Sequence, residues 1–256
     1  MPRSRRAFKL DLYPLSGRSR LDRAIFRNPP SVYRGAPFWS WNAGVDREQF
    51  IRQIEQFREM GFGGFHIHPR TGMTVPYLGP EYLRAVAECT DHAAKIGMLS
   101  WLYDEDRWPS GFAGGLVTRD ERYRALHLLW TKQPYGSGWV APTTPEYVIG
   151  GGRGKGTPLG RYENRLDRSG RPSSYRPLAS KDRPRKGAQV WYAYEETSIP
   201  SRWFGGGTAV DVMSPAAIRS FIEITHERLA GVVGRHFGKA VPTIFTDEPQ
   251  FPKKTQ

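Results

Sequence analysis

The sequence has one cysteine, no long hydrophobic run and few features of a secreted leader. Cys89 has no second thiol to pair with, so a disulfide-stapled module is excluded and the 256 residues must bury a hydrophobic core. No run approaches the roughly 18 apolar residues that cross a bilayer, and residues 1–30 are basic without the apolar segment of a signal peptide. We therefore expect no membrane partner and a cytoplasmic protein as the sequence stands, with a secreted form left open.

Acidic residues are outnumbered, with 25 Asp and Glu against 38 Lys and Arg and a net charge of +13. Residues 1–34 and 151–187 carry the excess, +7 and +8 respectively, so the rest of the chain is near neutral. Basic segments of this kind bind polyanions, but they show no aromatic and basic platform like those of single-strand binders. The distribution of charge argues against nucleic acid as the partner.

Short apolar runs alternate with amphipathic segments in the first half of the chain. Asp46 with Gln49 begins one helical pattern in the manner of a capping box, and Gly97 ends the next. This rhythm is typical of βα units around a parallel sheet. The predicted strands are residues 36–41, 64–68 and 98–103, and the predicted helices are residues 47–60 and 80–96.

The rhythm is interrupted by a segment rich in glycine and proline. Residues 134–187 contain ten Gly and seven Pro, a composition that argues against a packed core, so we expect a long flexible basic loop there. Residues 123–132 and 188–197 flank it with alternating apolar and polar residues, which predicts two arms of a β excursion.

The βα pattern resumes at residues 210–213, with Ser214 as helix cap and Pro215 in the first turn of a long helix. A last strand at residues 241–246 delivers Asp247 and Glu248. The fold class is α/β, either an open sheet or a partial (β/α)8 TIM barrel of about four βα units. The expected segments are a basic leader (1–34), the first part of the barrel (35–122), the β excursion with its loop (123–209) and a resumed βα unit with its strand (210–256).

Polar and aromatic side chains follow the predicted strands. In parallel α/β proteins the carboxyl ends of the strands carry the ligand site. Trp faces stack on sugar rings while charged side chains bind the hydroxyls, so this set predicts an oligosaccharide or glycoside substrate. The candidate substrate-binding residues are Trp41, Asn42, His66, His68, Arg70, Asp104, Glu105, Asp106 and Trp108.

Two carboxylates at the end of the last strand are the candidate catalytic residues. Glycosidic bond cleavage needs one carboxylic acid to protonate the departing oxygen and a second carboxylate as nucleophile or base. Glu248 is the first candidate and Asp247, on the opposite face of an extended strand, the supporting one. The alternative is that the pair only caps the following turn.

The candidate metal ligands are ambiguous. The cluster Asp104–Glu105–Asp106 suits calcium, which prefers oxygen ligands, or else forms a solvated acidic loop. His66 and His68 share one face at a spacing that also suits zinc in a metal-dependent hydrolase, although hydrogen bonding to substrate explains them too. The identity of any metal stays unknown.

Four stretches of the sequence resemble the α-L-rhamnosidase-like proteins of glycoside hydrolase family 106. They are residues 37–42 (PFWSWN), 63–70 (GGFHIHPR), 101–115 (WLYDEDRWPSGFAGG) and 245–249 (FTDEP). The resemblance implies a (β/α)8 catalytic barrel, inverting hydrolysis of terminal α-L-rhamnosides and calcium near the substrate. It also implies Glu248 as the general acid and places Asp104, Glu105, Asp106, Trp108, His66, His68 and Arg70 around the sugar.

The sequence departs from that pattern in two respects, the basic glycine-rich insertion and the lack of a second catalytic carboxylate. Inverting chemistry needs a second carboxylate about 6.5–9.5 Å from the first, which in such a barrel comes from a later strand. We expect a fragment of the barrel that pairs with its missing C-terminal half or with itself and shows little or no turnover alone. The alternatives are a non-catalytic carbohydrate-binding half-barrel and a metal-dependent hydrolase that uses His66 and His68.

Overall fold

The computed structural model describes residues 20, 22–132, 134 and 156–249, without the Trp203 side chain. The chain divides into two units, Met1–Gly114 with Ser220–Pro249, and Gly115–Arg219 with Gln250–Gln256. The strands are β1 Phe38–Trp41, β2 Gly64–Pro69, β3 Leu99–Tyr103, β4 Leu126–Thr131, β5 Thr157–Leu166, β6 Pro172–Leu178, β7 Gln189–Thr197 and β8 Ile244–Phe245. The helices are α1 Arg23–Arg27, α2 Arg47–Glu59, α3 Pro80–Lys95, α4 Pro215–Ile224 and α5 His226–Val233, with 3-10 turns at Ser31–Tyr33, Ala113–Gly115, Glu121–Tyr123, Arg202–Phe204 and Gly234–His236.

The first unit contains a parallel sheet of four strands in the order β1-β2-β3-β8. Its helix-packed face is aromatic: Trp39 meets Phe50 and Phe65 edge to face at 5.1 Å, and Trp41 stacks on Phe50 at 4.5 Å. The chain is thus a mixed α/β protein, as the alternating pattern predicts. Closure of this sheet into a barrel stays a prediction.

The helix boundaries follow local signals. Asp46 accepts a hydrogen bond from the Gln49 amide at the start of α2, and Gly97 takes a φ of +74° just after α3, a conformation that favours glycine. The single long helix predicted after Ser214 is instead two, because the chain bends at Thr225. The Thr225 hydroxyl donates to the Phe221 carbonyl at 2.6 Å, and such back-bonding often bends helices.

The second unit contains an antiparallel sheet in the order β4-β7-β5-β6. The two alternating segments pair directly, from Leu126 opposite Thr197 to Thr131 opposite Tyr192. The flexible loop predicted over 134–187 is wrong for its second half, because β5 and β6 form a hairpin there. Asp167 closes that hairpin by accepting from the backbone amides of Ser169 and Arg171, so alternation and turn chemistry outweigh the glycine and proline content. Residues 135–155 of the predicted loop lie outside the described residues.

The strand expected at residues 210–213 is also absent from the described structure. Val210 forms a single bridge with Arg124, and the Asp211 carboxylate accepts from the Met213 amide in a turn. A four-residue segment, here interrupted by Asp211, is too short to be told from a turn by its pattern alone. Among the described residues, no helix has the length and hydrophobicity needed to cross a bilayer.

Asp91 of α3 ties that helix to the turn after α5. Its carboxylate accepts from His236 Nε2 at 2.7 Å and from Arg235 Nη2 at 2.6 and 2.7 Å. Partial burial alone would raise the pKa of Asp91, but the hydrogen bonds and charges of His236 and Arg235 together lower it.

Asp91→Asn is expected to lower the free energy of unfolding by about 0.2–1 kcal/mol at neutral pH. A carboxyl group with a lowered folded-state pKa stabilises above its unfolded value of about 3.9, and this contribution is lost as the pH falls through the folded value. Urea titrations of both proteins from pH 7 to about pH 2 should therefore converge at the acid end. Arg52→Gln, which removes an exposed charge on α2, serves as the charge control. If the stability difference between Asp91→Asn and the parent chain does not change with pH, the lowered pKa of Asp91 is contradicted.

Candidate functional site

Asp104, directly after β3, is the centre of a buried polar network. It is 0% exposed, and its two oxygens accept from Ser110 Oγ and Thr246 Oγ1, each at 2.6 Å. His226 Nε2 lies 3.3 Å from the same carboxylate. These partners come from the loop after β3, the end of β8 and the start of α5, so one carboxylate joins three segments of the first unit.

Glu105 is buried together with His68 at the end of β2. Each side chain is 1% exposed, and His68 Nε2 hydrogen-bonds Glu105 Oε1. The His68 ring is held between Phe38 at 4.6 Å and Tyr103 at 4.3 Å between ring centroids. This pair therefore joins β2 to the loop after β3 at the carboxyl edge of the sheet.

Ser110 connects this network to Asp247 through two hydrogen bonds. Its amide donates to the Asp247 carbonyl at 2.9 Å, and its hydroxyl accepts from the Asp247 amide at 2.8 Å. The hydroxyl also lies 3.3 Å from Glu105 Oε2. Thr246 is thus held by its side chain and Asp247 by its backbone. The carboxyl group of Asp247 is half-buried and that of Glu248 is exposed.

Glu248 does not continue the strand. β8 ends at Phe245, and Glu248 has a φ of +37°, in the left-handed region that non-glycine residues rarely adopt. Strand alternation does not apply after Phe245, so it does not determine the faces to which Asp247 and Glu248 project. Strained backbone of this kind is concentrated at functional sites.

Asp106 is the third member of the acidic cluster and is also buried, at 7% exposed. It accepts from Arg107 Nη2 at 2.7 Å. Gly114, at a φ of +62°, packs against it so closely that an added Cβ would lie 2.7 Å from Asp106 Oδ2. The solvated acidic loop that the sequence left open is therefore wrong, because each carboxylate of the cluster is buried with its own partners.

The described residues do not fit a calcium or zinc site. Both oxygens of Asp104 already accept hydrogen bonds, Glu105 is paired with His68, and Asp106 is paired with Arg107. Among the residues that the structure describes, no three potential ligands converge on one point. We derive no chemical step through a metal.

The face of the parallel sheet opposite the helices, here called the open face, carries aromatic and charged groups. Phe38 is 48% and Phe245 40% exposed, and the Arg70 guanidinium lies 5.8 Å from the Phe38 ring centre. Burial, together with the charges of Asp247 and Glu105, raises the pKa of Tyr103, while Arg70 opposes this effect. An apolar surface with a cation and carboxylates beside it suits a sugar ring.

His66 lies on the same open face, two residues before His68. Its ring stacks on Trp101 with 5.1 Å between centroids, and burial lowers its pKa. A neutral imidazole can both donate and accept a hydrogen bond, as sugar hydroxyls require. His66 therefore suits a contact residue.

The structure separates the remaining candidates. Trp41 is 2% exposed on the helix-packed face, so it is a core residue rather than part of the open face. Asn42 is exposed after β1 and Trp108 is half-buried in the loop after β3. Sequence reasoning missed Ser110, His226 and Tyr103. Of these three, only Ser110 had a signal in the sequence, because it lies within the stretch 101–115 that contains the acidic cluster.

Ser110→Ala is expected to lower the free energy of unfolding by about 1–3 kcal/mol, because the Asp104 carboxylate and the Asp247 amide each lose a buried partner. Urea denaturation measures the change. Ser173→Ala removes an exposed hydroxyl that donates to the Arg165 carbonyl, and we expect it to stay within about 0.5 kcal/mol. Equal effects of the two variants would show that the hydrogen bonds of Ser110 to Asp104 and Asp247 do not stabilise the site.

Comparisons with known proteins give a distant structural likeness. No family model matches the chain, and no curated protein matches it. Among solved structures, the chain is similar to a rhamnosidase from Novosphingobium sp. PP1Y, with 19% identity and a TM-score of 0.39 over 55% of this chain. The chain spans about 15% of that protein.

Proposed function

We propose that this chain is a carbohydrate-processing unit of the glycoside-hydrolase type, with Glu248 as the general acid. The observation that carries the proposal is that buried Asp104 and Ser110 hold Thr246 and Asp247, the two residues before Glu248, by hydrogen bonds. A buried polar network that fixes the backbone beside an exposed carboxyl group is the arrangement that a preorganised acid requires.

The proposed roles follow from exposure and charge. Phe38 and Phe245 supply apolar surface for the sugar ring, and Arg70 and His66 supply hydrogen bonds to its hydroxyls. Glu248 gives its proton to the glycosidic oxygen as the bond to the anomeric carbon breaks. Inversion further needs a carboxylate about 6.5–9.5 Å away that activates water. We assign that role to a residue outside the segments that the structure describes.

Terminal α-L-rhamnosides are the proposed substrates, because four stretches of the sequence resemble glycoside hydrolase family 106. The same resemblance supports a partial (β/α)8 barrel completed by its other half. Neither calcium nor zinc enters this proposal, because the carboxylates of the acidic cluster and the His68 imidazole already bond to other side chains.

A second candidate is a binding module that recognises a glycan without cleaving it. It is favoured by the burial of Asp104 and Glu105, which are 0% and 1% exposed and therefore not available as the second carboxylate. In this case the open face and Arg70 hold the sugar and Glu248 is only a contact.

Two measurements on the full chain test the proposal. Saturation-transfer NMR reports binding of methyl α-L-rhamnopyranoside, with methyl α-D-glucopyranoside as control, and rhamnose release from a rhamnosyl disaccharide reports hydrolysis. Binding with release of rhamnose supports the hydrolase. Where binding occurs without release, sodium azide is added as a nucleophile in place of the activated water, because the second carboxylate is assigned outside the described segments. Formation of a rhamnosyl azide then supports the hydrolase, and its absence supports the binding module. A chain that neither binds nor cleaves the rhamnosides contradicts both candidates.

A further inference from the structure

One face of the antiparallel sheet in the second unit carries three aromatic rings. Trp130 of β4 lies 5.0 Å from Tyr162 of β5 and 6.0 Å from Trp191 of β7 between ring centroids. The register explains this grouping, because Tyr162 is paired with Trp191, and Trp130 with Ala193 two residues further along β7. All three rings are half-buried and project to the same side of three adjacent strands. We call them the aromatic platform.

Polar atoms without partners lie beside these rings. Asn164 and Gln189 are opposite one another on the same face, and Asn164 is 6% exposed. Within the described part of the chain, Asn164 Nδ2, Gln189 Oε1 and Trp191 Nε1 are buried and make no hydrogen bond. Buried polar groups are normally satisfied, so two donors and one acceptor here indicate a missing polar partner.

The charge on this face is nearly balanced. Lys132 places its ammonium group 5.2 Å from the Trp191 ring, and Glu195 is the acidic residue of the same face. The arginines of the sheet alternate to the other face, where Arg176 donates to Glu163 at 3.0 Å. A polyanion would need several cations beside the rings, whereas a neutral ligand needs only stacking and hydrogen bonds.

We propose that the aromatic platform is a binding site for a neutral oligosaccharide. The rings stack on the apolar faces of sugar residues, and the amides of Asn164 and Gln189 and the indole of Trp191 bond to sugar hydroxyls, which both donate and accept. This site lies wholly in the second unit and uses none of the residues assigned to hydrolysis. It therefore goes beyond the proposed function and is tested independently of it.

The test is calorimetric titration of the full chain with cellohexaose, mannohexaose and xylohexaose, and with the oligonucleotide (dT)15. We expect at least one hexasaccharide to bind. Trp191→Ala should weaken that binding about tenfold or more, because it removes both a stacking face and a hydrogen-bond donor. Trp191→Phe keeps a ring and should weaken it less, and this variant also serves if the alanine variant does not fold.

Two controls separate this site from the one in the first unit. Glu248→Gln should leave hexasaccharide binding unchanged, and Trp191→Ala should leave rhamnoside binding unchanged. The proposal is overturned if no hexasaccharide binds at millimolar concentration, or if binding is equal in Trp191→Ala, Trp191→Phe and the parent chain. It is also overturned if only (dT)15 binds, with affinity that falls steeply with salt, since the platform would then recognise a polyanion.

Discussion

Glu248→Gln is expected to reduce the release of rhamnose from a rhamnosyl disaccharide by about 10²–10⁴-fold while rhamnoside binding is retained. The amide is similar in size to the carboxyl group but cannot deliver a proton to the departing oxygen. The effect should be much smaller with 4-nitrophenyl α-L-rhamnopyranoside, because nitrophenolate leaves without protonation. This difference between substrates identifies Glu248 as an acid rather than as a base or a positioning group.

The matched control is Glu59→Gln, which changes an exposed carboxylate at the end of α2 and should leave both rates unchanged. Equal rate losses on the disaccharide and the aryl substrate would assign Glu248 a role other than proton donation. If the parent chain binds rhamnosides but forms no product with or without azide, it is a binding module and Glu248→Gln should still bind.

His68→Leu is expected to lower the free energy of unfolding by about 3–5 kcal/mol. The Glu105 carboxylate is 1% exposed and would lose its hydrogen bond from His68, keeping only the Ser110 hydroxyl at 3.3 Å. A carboxylate left in a dry site without compensation is among the most destabilising changes that one substitution can make. The shift in urea midpoint at constant m-value measures it.

The control for this variant is His66→Leu, because His66 is half-buried on the same face and stacks on Trp101 instead of pairing with a carboxylate. We expect a change below about 1.5 kcal/mol for it. The double variant His68→Leu/Glu105→Leu should recover much of the lost stability, because removing both members of a buried pair is often neutral. A double variant that is as unstable as the sum of its single variants would contradict coupling between His68 and Glu105.

The strands and helices of the first unit could be predicted from the sequence because their signals are local. The apolar runs that form β2 and β3, the Asp46 cap and the glycine at position 97 act over a few residues. The β5–β6 hairpin has such signals as well, in the alternation around Tyr162 and the turn at Asp167. The high glycine and proline content of residues 134–187 as a whole obscures these local signals.

The candidate site could be predicted only as a set of residue types at strand ends. Parallel strands bring their carboxyl ends to the same edge of the sheet. The candidates that lie at this edge or on the open face are His66, His68, Arg70, Asp247 and Glu248. The sequence did not indicate that Asp104 and Glu105 are buried supports. A carboxylate at a strand end looks the same in sequence whether it meets solvent, a metal or a hydroxyl.

By itself the sequence determined the alternation of strands and helices, since hydrophobic periodicity, caps and breakers act within one element. Only the tertiary structure decided which polar groups meet. Thr246 bonds Asp104 across 142 positions of the chain, and Ser110 bonds Asp247 across 137. Such contacts depend on how the strands align in the sheet, which no local pattern encodes. They distinguish the buried carboxylates of Asp104 and Glu105 from the exposed carboxylate of Glu248.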